Sequence, residues 1–251
     1  MAIAAPAAEA ANVRWVTDRS GGLGLVVVQA AAGENNDLLV RGADGPAGAP
    51  TAIVIEDSGA PITTSGSAAP GDCDTNSSCN VPCRIETPNR ARCVIDDGFT
   101  TQRPVNPFAK ANHWFQRSEV YLEDGNDRVA TPLDGVSQAM RVYSGLGDKS
   151  FDFVRGSYIV WASSGDTIKF GPGASGGAEI NGTGVSVEAV NGASNYAYCY
   201  GGFAPKLRFD LHDSVGYYCT DGDIVPPANT LPRIDAPPSE DELAYTLGSV
   251  P

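Results

Sequence analysis

Tyr121-Leu-Glu-Asp-Gly-Asn-Asp127, Val142-Tyr-Ser-Gly-Leu-Gly-Asp148 and Val160-Trp-Ala-Ser-Ser-Gly-Asp166 are three passes of one pattern: a β-branched or aromatic run, a Gly-containing turn, and an aspartate at its end. An apolar position follows each, at Val129, Phe151 and Ile168, so each pass reads as strand, turn, strand. The closing aspartates, at 127, 148 and 166, stand 21 and 18 residues apart. A recurring period of that size marks a solenoid, in which each repeat buries its apolar face against the next.

The remainder of the chain agrees with a β reading. Apolar runs are short, rich in Val, Ile, Tyr and Phe, and bounded by Gly, Pro, Asn or Asp; 29 Gly and 18 Pro leave little room for amphipathic helices. Strand-like runs stand at Gly24-Leu-Val-Val-Val28, Leu38-Leu-Val40 and Ile53-Val-Ile55. The expected fold is all-β, a parallel solenoid with disulfide-stapled loops, with a β-sandwich as the alternative.

Four regions follow: 1–10, a signal-peptide remnant; 11–117, an N-terminal β region with a Cys-rich loop; 118–222, the repeat coils; and 223–251, a Pro-rich tail without a core of its own. Ala8-Glu9-Ala10 carries small residues where a signal peptidase reads, which predicts a secreted protein. No apolar run is long enough to span a bilayer. Gly171-Pro-Gly-Ala-Ser-Gly-Gly177 reads as a loop, and Tyr200–Tyr218 as hairpin-like, with alternation at Leu207, Phe209 and Leu211.

Six cysteines divide into a cluster (Cys73, Cys79, Cys83, Cys93) and a pair (Cys199, Cys219). An even count suits disulfides in an oxidising compartment, and the cluster lacks the paired two-residue spacings of zinc ribbons. Within the cluster three pairings are open. A Cys199–Cys219 bond would close a loop of about 20 residues and remove on the order of 3 kcal/mol of unfolded-state entropy.

A formal charge of −13, from 30 acidic and 17 basic residues, disfavours nucleic acid and anionic membranes as partners. Excess carboxylates suit hard cations, because calcium takes six to eight oxygens from carboxylates and carbonyls.

Gly33-Glu-Asn-Asn-Asp37 after a Val-rich strand, Ile53-Val-Ile-Glu-Asp-Ser-Gly-Ala-Pro61 ahead of a cysteine segment, and the Asp/Gly turns of the second half resemble secreted actinobacterial calcium-binding proteins of the RTX (hemolysin-type repeat) class. The resemblance implies a parallel β-roll of two nonapeptides, about 18 residues, per coil, with aspartates and turn carbonyls enclosing calcium between coils. Leu122–Ala130 places Gly125, Asp127 and Val129 at that family's Gly, Asp and apolar positions. Around Asp148 the aspartate arrives one residue early, and around Asp166, Gly165 stands between the expected Gly and Asp. The expected ligand region is therefore Asp124, Gly125, Asn126 and Asp127, then Gly147 with Asp148 and Gly165 with Asp166 as stacked neighbours at one corner. Each group also fits a plain tight turn, where Asp, Asn and Gly are favoured by backbone geometry and local hydrogen bonds.

Catalytic motifs are thin. His113 and His212 are the two histidines, no nucleophile elbow surrounds a serine, and no phosphate-cradling Gly-Lys-Ser loop occurs. The expected function is a secreted, non-enzymatic calcium-binding solenoid with a structural or interaction role and extracellular polysaccharide or protein as partner. The rival is a carbohydrate-active solenoid enzyme using paired carboxylates one coil apart, such as Asp148 and Asp166. A third reading makes Tyr196, Tyr198, Tyr200, Tyr217 and Tyr218 an adhesive aromatic surface.

Overall fold

The computed structural model describes residues 10–17, 24–43, 52–65, 83–94, 117–134, 139–201, 203–219 and 222–238. These form a parallel β-solenoid of about six turns with two strands per coil. One sheet carries the first strand of each coil: β2 (Gly24–Gln29), β8 (Arg117–Tyr121), β10 (Ala139–Tyr143), β12 (Gly156–Ala162), β14 (Ala174–Ile180), β16 (Asn195–Cys199), β18 (Ser214–Gly216) and β20 (Arg233–Ile234). The facing sheet carries the second: β3 (Asp37–Ala43), β9 (Arg128–Thr131), β11 (Ser150–Phe153), β13 (Thr167–Phe170), β15 (Ser186–Ala189), β17 (Lys206–Phe209) and β19 (Asp223–Val225). In the first sheet the pairings Arg117–Ala139, Ala139–Ser157, Gly156–Ala174, Gly176–Asn195, Tyr196–Ser214 and Val215–Arg233 step by 22, 18, 18, 19, 18 and 18 residues. A sandwich would need antiparallel returns within each sheet; here every strand from β8 onward pairs in parallel with its neighbours in the sheet, the edge strands β19 and β20 with one neighbour each.

The amino end departs from that rule. β1 (Ala11–Thr17) lies antiparallel to β2, and β5 (Ile62–Thr64) extends that edge in parallel. β4 (Ala52–Asp57), β7 (Arg90–Val94) and β6 (Cys83–Thr87) extend the other sheet from β3 by antiparallel pairing. The chain thus leaves the first coil after β3, adds strands beyond it, and returns to wind the second coil at β8.

Alternation decides which side chains face inward. Along β12 and β13, Tyr158, Val160, Ile168 and Phe170 are buried, and the same parity in neighbouring coils places Val120, Val142, Phe151, Phe153, Ile180, Val187 and Leu207 in one continuous core between the sheets. The two outer faces differ. Outside the second sheet, Asp152, Lys169, Glu188 and Arg208 stand in register on successive coils, so opposite charges alternate along the stack. Outside the first, Tyr121, Tyr143 and Trp161 stack ring on ring with centroids 4.5 Å apart.

Three expectations change. Tyr200–Tyr218 is a coil and no hairpin: β17 and β18 lie in opposite sheets, and each pairs in parallel with the preceding coil. Gly171–Gly177, expected as a loop, passes at Ala174 into a seven-residue strand, Ala174–Ile180. Its Gly177 is required by close packing, because a Cβ there would lie 2.2 Å from the Tyr196 ring. Residues after Asp223 supply β19, β20 and the buried Leu231, so the coil stack continues into the Pro-rich stretch. Cys199 bonds Cys219 and Cys83 bonds Cys93. Cys73 and Cys79 lie outside the described residues, as do residues 1–9 and His113.

Candidate functional site

The sequence-predicted residues gather at the corner that leads into the second sheet. The register Asp37–Arg128–Ser150–Thr167 fixes the column just before it as Asn36, Asp127, Lys149 and Asp166, one residue per coil. Asp127 and Asp166 are buried there. Asp148 falls one position earlier, exposed, and lysine takes the place between the two aspartates.

Each carboxylate in this column and its equivalents receives amide donors. Asp127 Oδ1 accepts the backbone N–H of Asn36 at 2.8 Å and its Nδ2 at 3.0 Å. Asp166 Oδ2 accepts the N–H of Ser163 at 2.7 Å, closing its own turn, while Oδ1 accepts the N–H of Lys149 from the coil before at 3.2 Å. The opposite corner repeats the device: Asp213 Oδ2 accepts the Asp210 N–H at 2.9 Å, and Oδ1 accepts the Asn195 N–H at 2.8 Å and Nδ2 at 3.0 Å. At the amino end Asp57 Oδ1 accepts three N–H groups, from Asp37, Gly59 and Ala60. One oxygen for its own turn and one for the neighbouring coil is the shared logic of Asp166 and Asp213. Burial pushes both acids up to about 6, against the opposing pull of those hydrogen bonds, and raises Asp57 as well.

Lys149 is the residue the sequence reading missed. Its side chain is fully buried, and Nζ donates to Gly125 O at 2.6 Å and Leu146 O at 2.5 Å and pairs with Asp127 Oδ2 at 3.1 Å. The signal was present as the one-residue offset of Asp148: in a fixed register, an aspartate one place early puts its successor in the column.

Outside this column the turn presents a second, exposed row. Asn126 N–H donates to Asn35 Oδ1 at 2.9 Å and Asp148 N–H to Asn126 Oδ1 at 3.3 Å, so side-chain carbonyls link three coils. Asp124 Oδ1 accepts the Gly33 N–H at 2.5 Å. Gly125 and Gly147 take positive φ of 120° and 97°; a Cβ on Gly125 would stand 1.9 Å from Glu34 O, and on Gly147 2.2 Å from Gly125 O. Glycine is what lets successive turns nest. Gly165, also at positive φ, leaves room for the Asp148 carboxylate.

Other groups weighed as functional are dispersed. Among the described residues no three His, Cys, Asp or Glu side chains converge on one point. Asp148 and Asp166 stand on adjacent coils, one exposed and one buried, so they do not face a common substrate position. His212 is exposed and pairs with Asp210 at 3.2 Å. Of the tyrosines read as adhesive, Tyr196 and Tyr198 are buried while Tyr200, Tyr217 and Tyr218 are exposed. Tyr200 OH donates to Glu179, and Arg233 lies 5.1 Å from the centre of the Tyr217 ring. No helix among the described residues is long and apolar enough to cross a membrane. Against this geometry, comparison with protein-family models, curated proteins and solved structures gives no match.

Proposed function

We propose that the chain is a secreted, non-enzymatic solenoid whose role is structural or adhesive: a stiff extracellular module that presents a long surface. One observation carries this reading. The buried carboxylates at both corners accept turn and inter-coil amides, Asp166 and Asp213 through both oxygens and Asp57 and Asp127 through Oδ1, so the polar chemistry of the interior holds coils together instead of facing a substrate. Two disulfides fit an oxidising compartment. Exposed Tyr200, Tyr217 and Tyr218 near the carboxyl end offer amphipathic rings to a polysaccharide or protein partner. The test is incubation of the purified protein with polysaccharides, neutral ones for binding and acidic ones for cleavage, followed by co-sedimentation and product analysis. Binding without release of reducing or unsaturated sugar is expected, weakened in a Tyr200→Ala/Tyr218→Ala variant. Steady sugar release would establish the carbohydrate-active enzyme instead.

Calcium binding is a second reading, and its support lies on the exposed row: Asp124, Asn126 and Asp148 present oxygens at one corner of consecutive coils, in a protein of charge −13. Titration calorimetry with calcium, repeated on Asp124→Asn/Asp148→Asn, decides it. Heat in the parent and none in the variant is expected, and no heat in the parent removes the reading along with its likeness to RTX repeats.

A further inference from the structure

A wholly buried lysine needs an explanation, because an ammonium removed from water is retained only where donors and charge are both satisfied. Lys149 meets that demand in full. Nζ donates to two main-chain carbonyls in the turns of successive coils (Gly125 and Leu146), and its charge is paired with the carboxylate of Asp127 at 3.1 Å. On its far side Asp166, buried on the next coil, binds the Lys149 backbone N–H. The sequence of charges along the column is therefore minus, plus, minus, with two carboxylates against one ammonium.

Carboxylate and carbonyl oxygens converging from two coils are the donors a hard cation selects, and a divalent ion in the place of Nζ would balance the two carboxylates of the column where the ammonium leaves one charge over. We propose that the Lys149 ammonium is a covalently tethered stand-in for a metal ion, occupying a latent divalent-cation site between the second and third coils, so that this corner closes without metal. The idea is independent of the exposed-row calcium reading, since it concerns different oxygens.

The test is made on the Asp124→Asn/Asp148→Asn protein, which removes that exposed row. Calcium or EDTA should leave its melting temperature unchanged. Replacing Lys149 by serine empties the cage: Lys149→Ser should melt lower in EDTA, recover in millimolar calcium, and bind one ion per chain by calorimetry. Adding Asp127→Asn to Lys149→Ser should abolish the response, and Lys149→Met, whose stem keeps the cage filled with carbon, should lose stability without gaining a response. If Lys149→Ser is unfolded in EDTA, refolding on calcium addition, read by circular dichroism, supports the proposal and failure to refold overturns it. A folded Lys149→Ser protein indifferent to calcium overturns it equally, as does a parent that EDTA destabilises.

Discussion

A single ammonium fixed among three oxygens makes Lys149 the residue with the most at stake in the stack. Replacing it by methionine strands the Asp127 carboxylate in a dry interior, and breaking a buried pair from one side costs about 3–5 kcal/mol. Urea midpoints should show a loss of that size for Lys149→Met, with part of it regained in Lys149→Met/Asp127→Asn because the stranded charge is then gone. A loss below about 1 kcal/mol would mean that water reaches the ammonium. The buried aspartates make a separate prediction about pH. Asp166 and Asp213 titrate near 6 in the fold, whereas an unfolded aspartate titrates near 3.9. Between those values the native state binds protons that the unfolded chain does not, so their contribution to stability is fully present below about pH 4 and lost as pH rises through 6. Urea midpoints taken from pH 7.5 down to 4.5 should therefore rise, and Asp166→Asn/Asp213→Asn should flatten the slope. A midpoint that falls across the window in the parent would refute the assignment.

Between residue and fold stands the coil, whose corners are set by glycine. Gly125 combines a φ of 120° with a Cβ position 1.9 Å from the Glu34 carbonyl of the coil below, so Gly125→Ala adds a backbone clash to conformational strain. Gly33 has a similar sign of φ, 77°, but open space around it. Thermal unfolding should separate them: about 1 kcal/mol for Gly33→Ala, and at least twice that for Gly125→Ala. Equal losses would show that the turns do not nest as tightly as the geometry requires. The same corners explain how far the sequence was legible. Strand, turn and strand around Asp127 and Asp166 were readable because Gly and Asp mark turns for local reasons and Val, Tyr and Ile mark strands, and those passes predicted the stacked coils. β14 was not readable, since Ala174-Ser-Gly-Gly177 carries no β propensity; it is a strand through its parallel pairing with β12 and β16, where Tyr196 of the next coil fills the space over Gly177, contacts no local pattern encodes. The hairpin reading of Tyr200–Tyr218 failed for a related reason. Alternation at Leu207 and Phe209 reports which face is buried and says nothing of whether the following strand turns back or climbs to the other sheet. At the candidate site, spacing brought the aspartates to one corner, and the column became visible only once register showed Lys149 rather than Asp148 in line with Asp127.

For the whole molecule, stacking means that each coil is stabilised by its two neighbours, so the ends decide how far fraying spreads. At the amino end β1, β4, β5, β6 and β7 extend both sheets beyond the first coil, and the Cys83–Cys93 bond ties β6 to β7. At the carboxyl end the strands shorten to three residues in β19 and two in β20, and Pro226 and Pro227, which lack an N–H, follow β19 and blunt its pairing potential. The Cys199–Cys219 bond joins the end of β16 to the turn after β18 in the next coil across a sequence separation of 20, worth on the order of 3 kcal/mol by loop closure, and it acts where the sheets are narrowest. Its removal should therefore be felt locally. In Cys199→Ala/Cys219→Ala, amide hydrogen exchange should accelerate through β16, β17 and β18, where coil contacts are short, while β10 to β13, packed by Phe151, Phe153 and Tyr158, keep their protection. Exchange that accelerates equally in every coil would mean that the stack unfolds as one cooperative unit, and that the bond stabilises the entire rod through its end.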